Sequence, residues 1–380
     1  MSAICYQVNL QRGVGGGEVY TVFFTRALEA AGLQNVLFAD PAADFWRLRL
    51  PTATQIVPVT AAQLAQHLAT LEGKTVLFQT PMRGPALDAL HGARAKAVAL
   101  VHLPWYDREP GALQAYDLLV PVSQHVADSL RARGLAQVYG EPLYGVADLR
   151  GREGTRDGAI VAAPVYDWDL RKLRERVLRH LHPLWWRLQP RRVYARRAGI
   201  TLGIVSRLAT IKQFPALFER LAPVLRQHPR VHLEIFGSGG YASVRDLRRA
   251  LAPIAERVRW WGHQREVGAV YAQLDYLLAG LPEKEALGLN VIEAQACGLP
   301  VLAVNAPPFT ETIAGGLTGL FYADPRGDRG QAFGELLSEL EQAPFSIAPE
   351  AARTHLERFS EPAFAARVAR LARHLALLDA

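Results

Sequence analysis

Short apolar runs of strand length alternate with helical stretches along this chain, and the alternation starts afresh near residue 198. A strand that returns to its own sheet through a helix runs parallel to its predecessor, and a parallel sheet must be covered on both faces. In the first half the runs lie at 3–9, 35–39, 74–80, 96–102 and 118–122. Between the first two, Tyr20, Phe23, Phe24, Ala27, Leu28 and Ala31 recur at helical spacing, and Gly32 supplies a stop. In the second half, strand 200–206 leads to a helix over 214–228 with Phe214, Leu217, Phe218, Leu221, Val224 and Leu225 on one face. Strand 231–237, a glycine turn (Gly237-Ser238-Gly239-Gly240), a helix over 243–256 and strands near 258–261, 276–279 and 300–304 complete the set. The pattern predicts two open α/β domains in tandem, each Rossmann-like, with ligands at the carboxyl ends of the strands.

Size agrees with this. At 380 residues, half of them apolar, the chain is long enough for two cores. The expected division is a first domain over 1–150, a basic insertion or linker over 151–197, a second domain over 198–361 and a last helical segment over 362–380. In that last segment Phe364, Val368, Leu371, Leu375 and Leu378 share a face. No apolar run reaches the length of a membrane span, and the first residues lack the pattern of a secretory signal. Cys5 and Cys297 offer no disulfide framework, so a cytoplasmic protein is expected.

The formal charge is +7, and only five of the basic residues are lysines (Lys74, Lys96, Lys172, Lys212 and Lys284). Such a balance suits a polyanionic partner, or simply an arginine-rich surface. No aromatic-studded recognition element accompanies it, so nucleic acid is not expected as a partner. The most basic stretch runs from Asp169 to Leu188, with Arg171, Lys172, Arg174, Arg176 and Arg179 ahead of Leu184-Trp185-Trp186-Arg187. Two readings of 169–197 stand. It is a helix at the surface of an anionic membrane, or one that packs its tryptophans on the second domain and leaves its arginines in water. Asp167 and Asp169 are read as residues that start this helix.

The chemistry concentrates in the second half. Ser206-Arg207-Leu208-Ala209-Thr210-Ile211-Lys212 leaves a buried strand, so a guanidinium and an ammonium can meet on one diphosphate. Two to three strands later comes Glu285-Ala286-Leu287-Gly288-Leu289-Asn290-Val291-Ile292-Glu293, followed by Ala-Gln-Ala-Cys297-Gly298-Leu-Pro300. This reads as a loop carboxylate, a glycine turn, a helix start carrying a second carboxylate, a glycine stop and a buried strand. Unpaired N–H groups at Gly288, Leu289 and Asn290 favour a phosphate, while Glu293 and Glu285 can accept hydrogen bonds from sugar diols. His180, His182, His228 and His263 show no metal-ligand spacing with either cysteine, and no metal site is expected. His102, between Val101 and Leu103 at the end of a strand, is either a satisfied buried histidine or a group of the site.

With strand, Arg-Leu-x3-Lys, glycine turn and Glu-x7-Glu in order over 203–304, the second domain resembles the family-4 retaining glycosyltransferases of the GT-B fold. The first domain is similar more loosely, through Gly15-Gly16 after strand one, His102, and a strand ending in Ser123. The resemblance implies two Rossmann-like domains whose open parallel sheets face each other across a cleft, with the last helix returning to the first domain. It implies a UDP- or GDP-linked sugar as donor and a glycan or lipid-linked hydroxyl as acceptor. Transfer would proceed with retention and without a metal or cofactor, in envelope polysaccharide or glycolipid synthesis, with the protein cytoplasmic or peripheral at the inner membrane face. Arg207 and Lys212 would neutralise the leaving diphosphate, Glu293 hold the ribose and Glu285 the transferred sugar. Gly288, Leu289 and Asn290 would give backbone contacts to sugar and phosphate. Gly15 and Gly16 would admit the diphosphate or the acceptor, and His102 would lie beside the donor sugar. The chain departs from the family pattern at Ala286-Leu287 (usually Gly-Phe), at Pro307-Pro308, and at Tyr144-Gly145-Val146-Ala147 (usually Asn-Gly-Val-Asp), which leaves the donor open. Two alternatives remain: a nucleotide-sugar 2-epimerase of similar fold, and a non-catalytic homologue that binds nucleotide or membrane.

Overall fold

The computed structural model describes residues 3–13, 15–105, 111–146, 160–168, 175–176, 178–180, 182, 186, 188 and 190–378. The chain separates into two compact units, Met1–Val146 together with Glu357–Ala380, and Ala147–Leu356.

The first unit is built on six parallel strands: β1 (Ile4–Asn9), β2 (Gln34–Ala39), β3 (Gln55–Pro58), β4 (Thr75–Phe78), β5 (Lys96–Val101) and β6 (Leu118–Pro121). Their order is β3-β2-β1-β4-β5-β6. Strands two and three to one side of β1 and four to six on the other make the β1/β4 boundary the point where the winding reverses, and the loops leaving those strands diverge there. The helix Gly16–Ala30 buries Tyr20, Phe23, Phe24 and Leu28 and ends where Gly32 takes a left-handed backbone (φ 88°). Against it lies the helix Glu361–His374, capped by Ser360, which buries Phe364, Val368 and Leu371. Phe364 meets Tyr20 edge to face at 5.3 Å, and Arg370 grips Glu141 with two nitrogens at 2.6 and 2.8 Å.

The second unit repeats the plan. A two-stranded pair, β7 (Tyr166–Asp167) and β10 (Gly239–Gly240), flanks a six-stranded parallel sheet. Its members are β8 (Ile200–Val205), β9 (Val231–Phe236), β11 (Val258–Gly262), β12 (Tyr276–Leu278), β13 (Val301–Val304) and β14 (Gly319–Tyr322). They are ordered β11-β9-β8-β12-β13-β14, so the reversal falls between β8 and β12. Helix Phe214–Gln227 covers one face with Phe214, Leu217, Phe218, Leu221 and Leu225. On β9 Glu234 is fully buried, yet it is answered by Arg197 at 3.0 Å, Arg259 at 2.5 Å and the Trp261 indole N–H at 2.6 Å. A buried carboxylate survives only when it is paired and hydrogen-bonded in this way.

The structure corrects several local expectations. The helix expected over 243–256 runs from Tyr241 to Ala250 and gives way to a 3-10 turn, Ala252–Arg257, in which Ile254 is non-helical. Pro253 lacks the N–H that a continuing α-helix needs. β3 and β14 are strands that the apolar runs did not mark. Asp167 pairs with Gly240 in β7 rather than starting a helix, and Asp169 lies outside the described residues. Of the basic stretch, Arg171, Lys172, Arg174, Leu184, Trp185 and Arg187 lie outside them as well. Trp186 stacks on His182, whose ring meets Tyr166 and Trp168, and Tyr166 stacks on Tyr241. Among the described residues no helix is long and apolar enough to cross a membrane.

Candidate active site

The switch point of the second sheet gathers most of the residues singled out in the sequence. β8 and β12 are adjacent, with Leu202 opposite Tyr276 and Gly203 opposite Leu277, so the loops that leave them start side by side. The first loop carries Arg207 and Lys212. The second carries Glu285 and runs into the helix Leu289–Ala296.

Backbone contacts hold the two loops together. Leu281 donates its N–H to the Lys212 carbonyl at 3.3 Å. Gly280 passes so close that a Cβ there would sit 2.3 Å from the same carbonyl oxygen. A side chain cannot occupy that gap, so glycine is what permits the approach. The Lys212 ammonium forms an ion pair with Glu285 Oε2. The structure thus joins directly two groups expected to hold different parts of a donor. Arg207 is exposed, and its guanidinium has no ion pair among the described residues.

Gly288 caps the helix in a left-handed conformation (φ 80°, ψ 62°). Asn290 Nδ2 donates to the Val205 carbonyl at 3.1 Å, fastening the helix start to the end of β8. The first N–H groups of the helix have no partner within it, and they carry the positive end of its dipole. Glu293 sits one turn in, and the Tyr271 hydroxyl donates to its Oε2 at 3.1 Å. That hydroxyl also lies 3.3 Å from the Asn290 carbonyl. Ala286 and Leu287, where this chain departs from the family pattern, are both buried.

In the first unit, Gly15, Gly16 and His102 lie beside the corresponding switch point. Gly15 is extended (φ −147°) and caps the helix Gly16–Ala30, and its N–H donates to Glu18 Oε2 at 2.8 Å. Neither Gly15 nor Gly16 has positive φ, so neither position requires glycine for its backbone conformation. His102 directly follows β5. Its ring meets Tyr20 edge to face at 4.8 Å, and Nε2 is buried with no hydrogen-bond partner among the described residues. Burial pushes its pKa down to about 4, partly opposed by a backbone hydrogen bond at Gln79. The imidazole is therefore neutral at pH 7.

Three residues that matter to this geometry were not singled out in the sequence: Tyr271, Gly280 and Glu18. Only Glu18 had a local signal, as an acidic residue in the first turn of a helix. Tyr271 and Gly280 act on partners far along the chain.

Residues 199–342 match the family described as Glycosyl transferases group 1. Over 162 residues the chain is 32% identical to the GDP-mannose-dependent monoacylated alpha-(1-6)-phosphatidylinositol monomannoside mannosyltransferase of Corynebacterium glutamicum, covering 40% of this chain and 41% of that one. Over 173 residues it is 31% identical to the D-inositol 3-phosphate glycosyltransferase of Rhodococcus erythropolis, covering 42% and 38%. The chain thus spans about two fifths of the length of the curated relatives it matches. Among solved structures, that of Anabaena HepE in complex with UDP aligns with 98% of this chain and 100% of its own, at a TM-score of 0.69 and 17% identity. Sucrose-phosphate synthase from Thermosynechococcus elongatus aligns with 98% and 99%, at 0.66 and 16%. At these identities the likeness is one of fold.

Proposed function

We propose that this chain, which has the GT-B fold and whose residues 199–342 belong to the glycosyl transferases group 1 family, moves a sugar from a nucleoside diphosphate to an acceptor hydroxyl. One observation carries the reading. At the β8/β12 switch point the loop carrying Arg207 and Lys212 starts beside the loop that carries Glu285 and runs into the helix Leu289–Ala296, Lys212 is paired to Glu285, and Glu293 stands one turn into that helix.

The chemistry follows from charge. As the bond between the anomeric carbon and the diphosphate oxygen breaks, its electron pair moves onto the diphosphate, and the sugar carbon turns positive. Arg207, Lys212 and the amides at Leu289 and Asn290 meet that growing negative charge with groups already in place. Glu293, steadied by Tyr271, accepts hydrogen bonds from the ribose diol. Glu285 serves the transferred sugar, and its charge keeps the Lys212 ammonium in position until the diphosphate arrives. The acceptor oxygen attacks from the face the diphosphate leaves, and its proton passes to a diphosphate oxygen, so the anomeric configuration is retained. The positive charge comes from side chains and helix amides, and no metal enters the scheme. By the family resemblance, Gly15 and Gly16 admit the diphosphate or the acceptor, and His102 lies beside the donor sugar. The donor is UDP- or GDP-linked. The acceptor is a glycan or lipid-linked hydroxyl of envelope polysaccharide or glycolipid synthesis, reached by a protein that is cytoplasmic or peripheral to the membrane. The mannosyltransferase relative, named for GDP-mannose and a phosphatidylinositol mannoside, supports a GDP-linked donor and a lipid-linked acceptor.

Thermal unfolding against UDP, GDP and their sugars tests the donor site. A ligand at 100 times its dissociation constant stabilises by about 2.7 kcal/mol, and Lys212→Ala or Glu293→Ala should abolish most of that gain. Transfer assays with mixed acceptors then separate the alternatives. Epimerised sugar formed without acceptor would indicate the epimerase, and binding with no turnover above background would indicate a non-catalytic homologue.

A further inference from the structure

The core of the first unit contains six polar side chains where a Rossmann-like sheet ordinarily packs aliphatic ones. Gln7, Asn9, Thr21, Thr25, Asn35 and Gln79 are each at most 4% exposed. Burying an amide without partners is costly, so a set like this persists only if its members satisfy one another. They do. Gln7 Nε2 donates to Thr25 Oγ1 at 3.2 Å and to Asn35 Oδ1 at 3.1 Å. Gln79 Nε2 donates to Gln7 Oε1 at 2.7 Å. Thr21 Oγ1 accepts from Asn9 Nδ2 at 3.1 Å and shares its single proton between Gln79 Oε1 at 3.2 Å and the Gly17 carbonyl at 2.9 Å.

The ends of this chain of bonds are telling. At one end Asn9 Oδ1 accepts the backbone N–H of Gln11, the first residue of the glycine-rich loop that follows β1 and contains Gly13, Gly15 and Gly16, at 3.1 Å. At the other, Gln79 sits just past β4, donates its backbone N–H to the Val8 carbonyl at 2.9 Å, and makes a backbone hydrogen bond to His102. A continuous path therefore runs from Gln11 through Asn9, Thr21 and Gln79 to His102. It crosses the β1/β4 switch point beneath the two features that the function proposed above assigns to the first unit.

We propose that Asn9, Thr21 and Gln79 are positioning residues, a buried amide–hydroxyl chain that sets the glycine-rich loop and His102 in register with each other. Hydrogen bonds are directional where apolar packing is not, so this chain fixes orientation as well as distance. Thr21 is its keystone, the one side chain among the described residues hydrogen-bonded to both Asn9 and Gln79. The arm through Gln7, Thr25 and Asn35 branches from that path at Gln79, which donates to Gln7, and touches neither the loop after β1 nor His102 through any hydrogen bond recorded among the described residues. The inference rests on the proposed role of His102 and the loop.

The two threonines provide a matched test. Thr25 Oγ1 donates to the Thr21 carbonyl at 2.8 Å as Thr21 Oγ1 does to Gly17, so valine at either site removes a similar buried hydroxyl. Thr21→Val and Thr25→Val should lower Tm by similar amounts. Only Thr21→Val should reduce kcat, by roughly 10- to 100-fold with donor KM within about twofold, the size of effect expected from misplacing a reacting group by up to ~1 Å. Thr21→Ser should restore kcat. In nitrogen-detected NMR of the intact protein, the His102 ring signals should move in Thr21→Val and stay in place in Thr25→Val. Unchanged ring signals in Thr21→Val, or equal kcat losses in the two valine variants, would overturn the proposal. The NMR arm requires no turnover, so it decides the positioning claim even if the chain proves to transfer no sugar.

Discussion

The Tyr271 hydroxyl stands 3.1 Å from Oε2 of Glu293, so the carboxylate read as the ribose holder is itself held by a residue 22 positions earlier in the chain. Tyr271→Phe removes one neutral-to-charged hydrogen bond and little packing, because the ring stays buried. We expect donor KM to rise by about 10-fold with kcat nearly unchanged, the worth of one such bond at ~1.5 kcal/mol. Initial-rate kinetics on the purified variant checks it, and a fall in kcat alone would remove Glu293 from the binding role.

Lys212 and Glu285 are 16% and 12% exposed and joined as an ion pair. Lys212→Ala should lower kcat/KM by at least ~10-fold, since it removes a charge aimed at the leaving group. Glu285→Gln should lower it as well. The double variant should lose less than the sum of the two, because residues in contact couple. Strict additivity would mean that the pair does not act as a unit.

Gly280→Ala puts a methyl group into the space occupied by the Lys212 carbonyl. The two loops must part. Transfer should fall by at least ~10-fold while Tm falls by a few degrees, since the damage is local to the loops. Activity and thermal unfolding measured on one preparation decide it. A variant that loses fold and activity together would show the glycine to be structural.

His102 predicts a pH dependence of stability. Its pKa is held near 4 in the folded protein against 6.5 as the ordinary value. The folded state therefore binds the proton less readily than the unfolded one. The stability this represents is fully present above about pH 6.5 and is lost as pH falls toward 4, amounting to at most about 3 kcal/mol. The difference in urea unfolding between wild type and His102→Gln, followed from pH 7 to 4, isolates it from the carboxylates that titrate nearby. Parallel curves would show the ring to be solvated.

Glu234→Gln should destabilise the second unit by about 3 kcal/mol, because it leaves two guanidinium groups beside a buried neutral amide. Urea unfolding followed by tryptophan fluorescence reads this directly, as Trp261 donates to the same carboxylate.

How much of this was legible in the sequence depends on the distance between partners. The apolar runs of β5, β6 and β13 stand out because buried parallel strands carry no polar alternation, and the Glu285–Pro300 segment packs its turn, helix start and stop into consecutive residues. β3 and β14 escaped notice because they are four-residue edge strands, one of them ending in Pro58. The Lys212–Glu285 pair, the Tyr271 hydroxyl and the gap at Gly280 join residues on separate loops, and no local pattern announces such a meeting. The buried amides of the first unit read in sequence as ordinary polar residues, and only their mutual bonds give them meaning.

The helix Glu361–His374 belongs to the unit that the chain left at Val146. A fragment cut at that residue would expose Tyr20 where Phe364 should cover it and strand Glu141 without Arg370. Anyone wishing to make the first unit by itself must therefore splice two distant stretches of polypeptide, 1–146 and 357–380, through an artificial linker. A nascent chain, likewise, cannot complete its first unit until residues 357–380 have been synthesised.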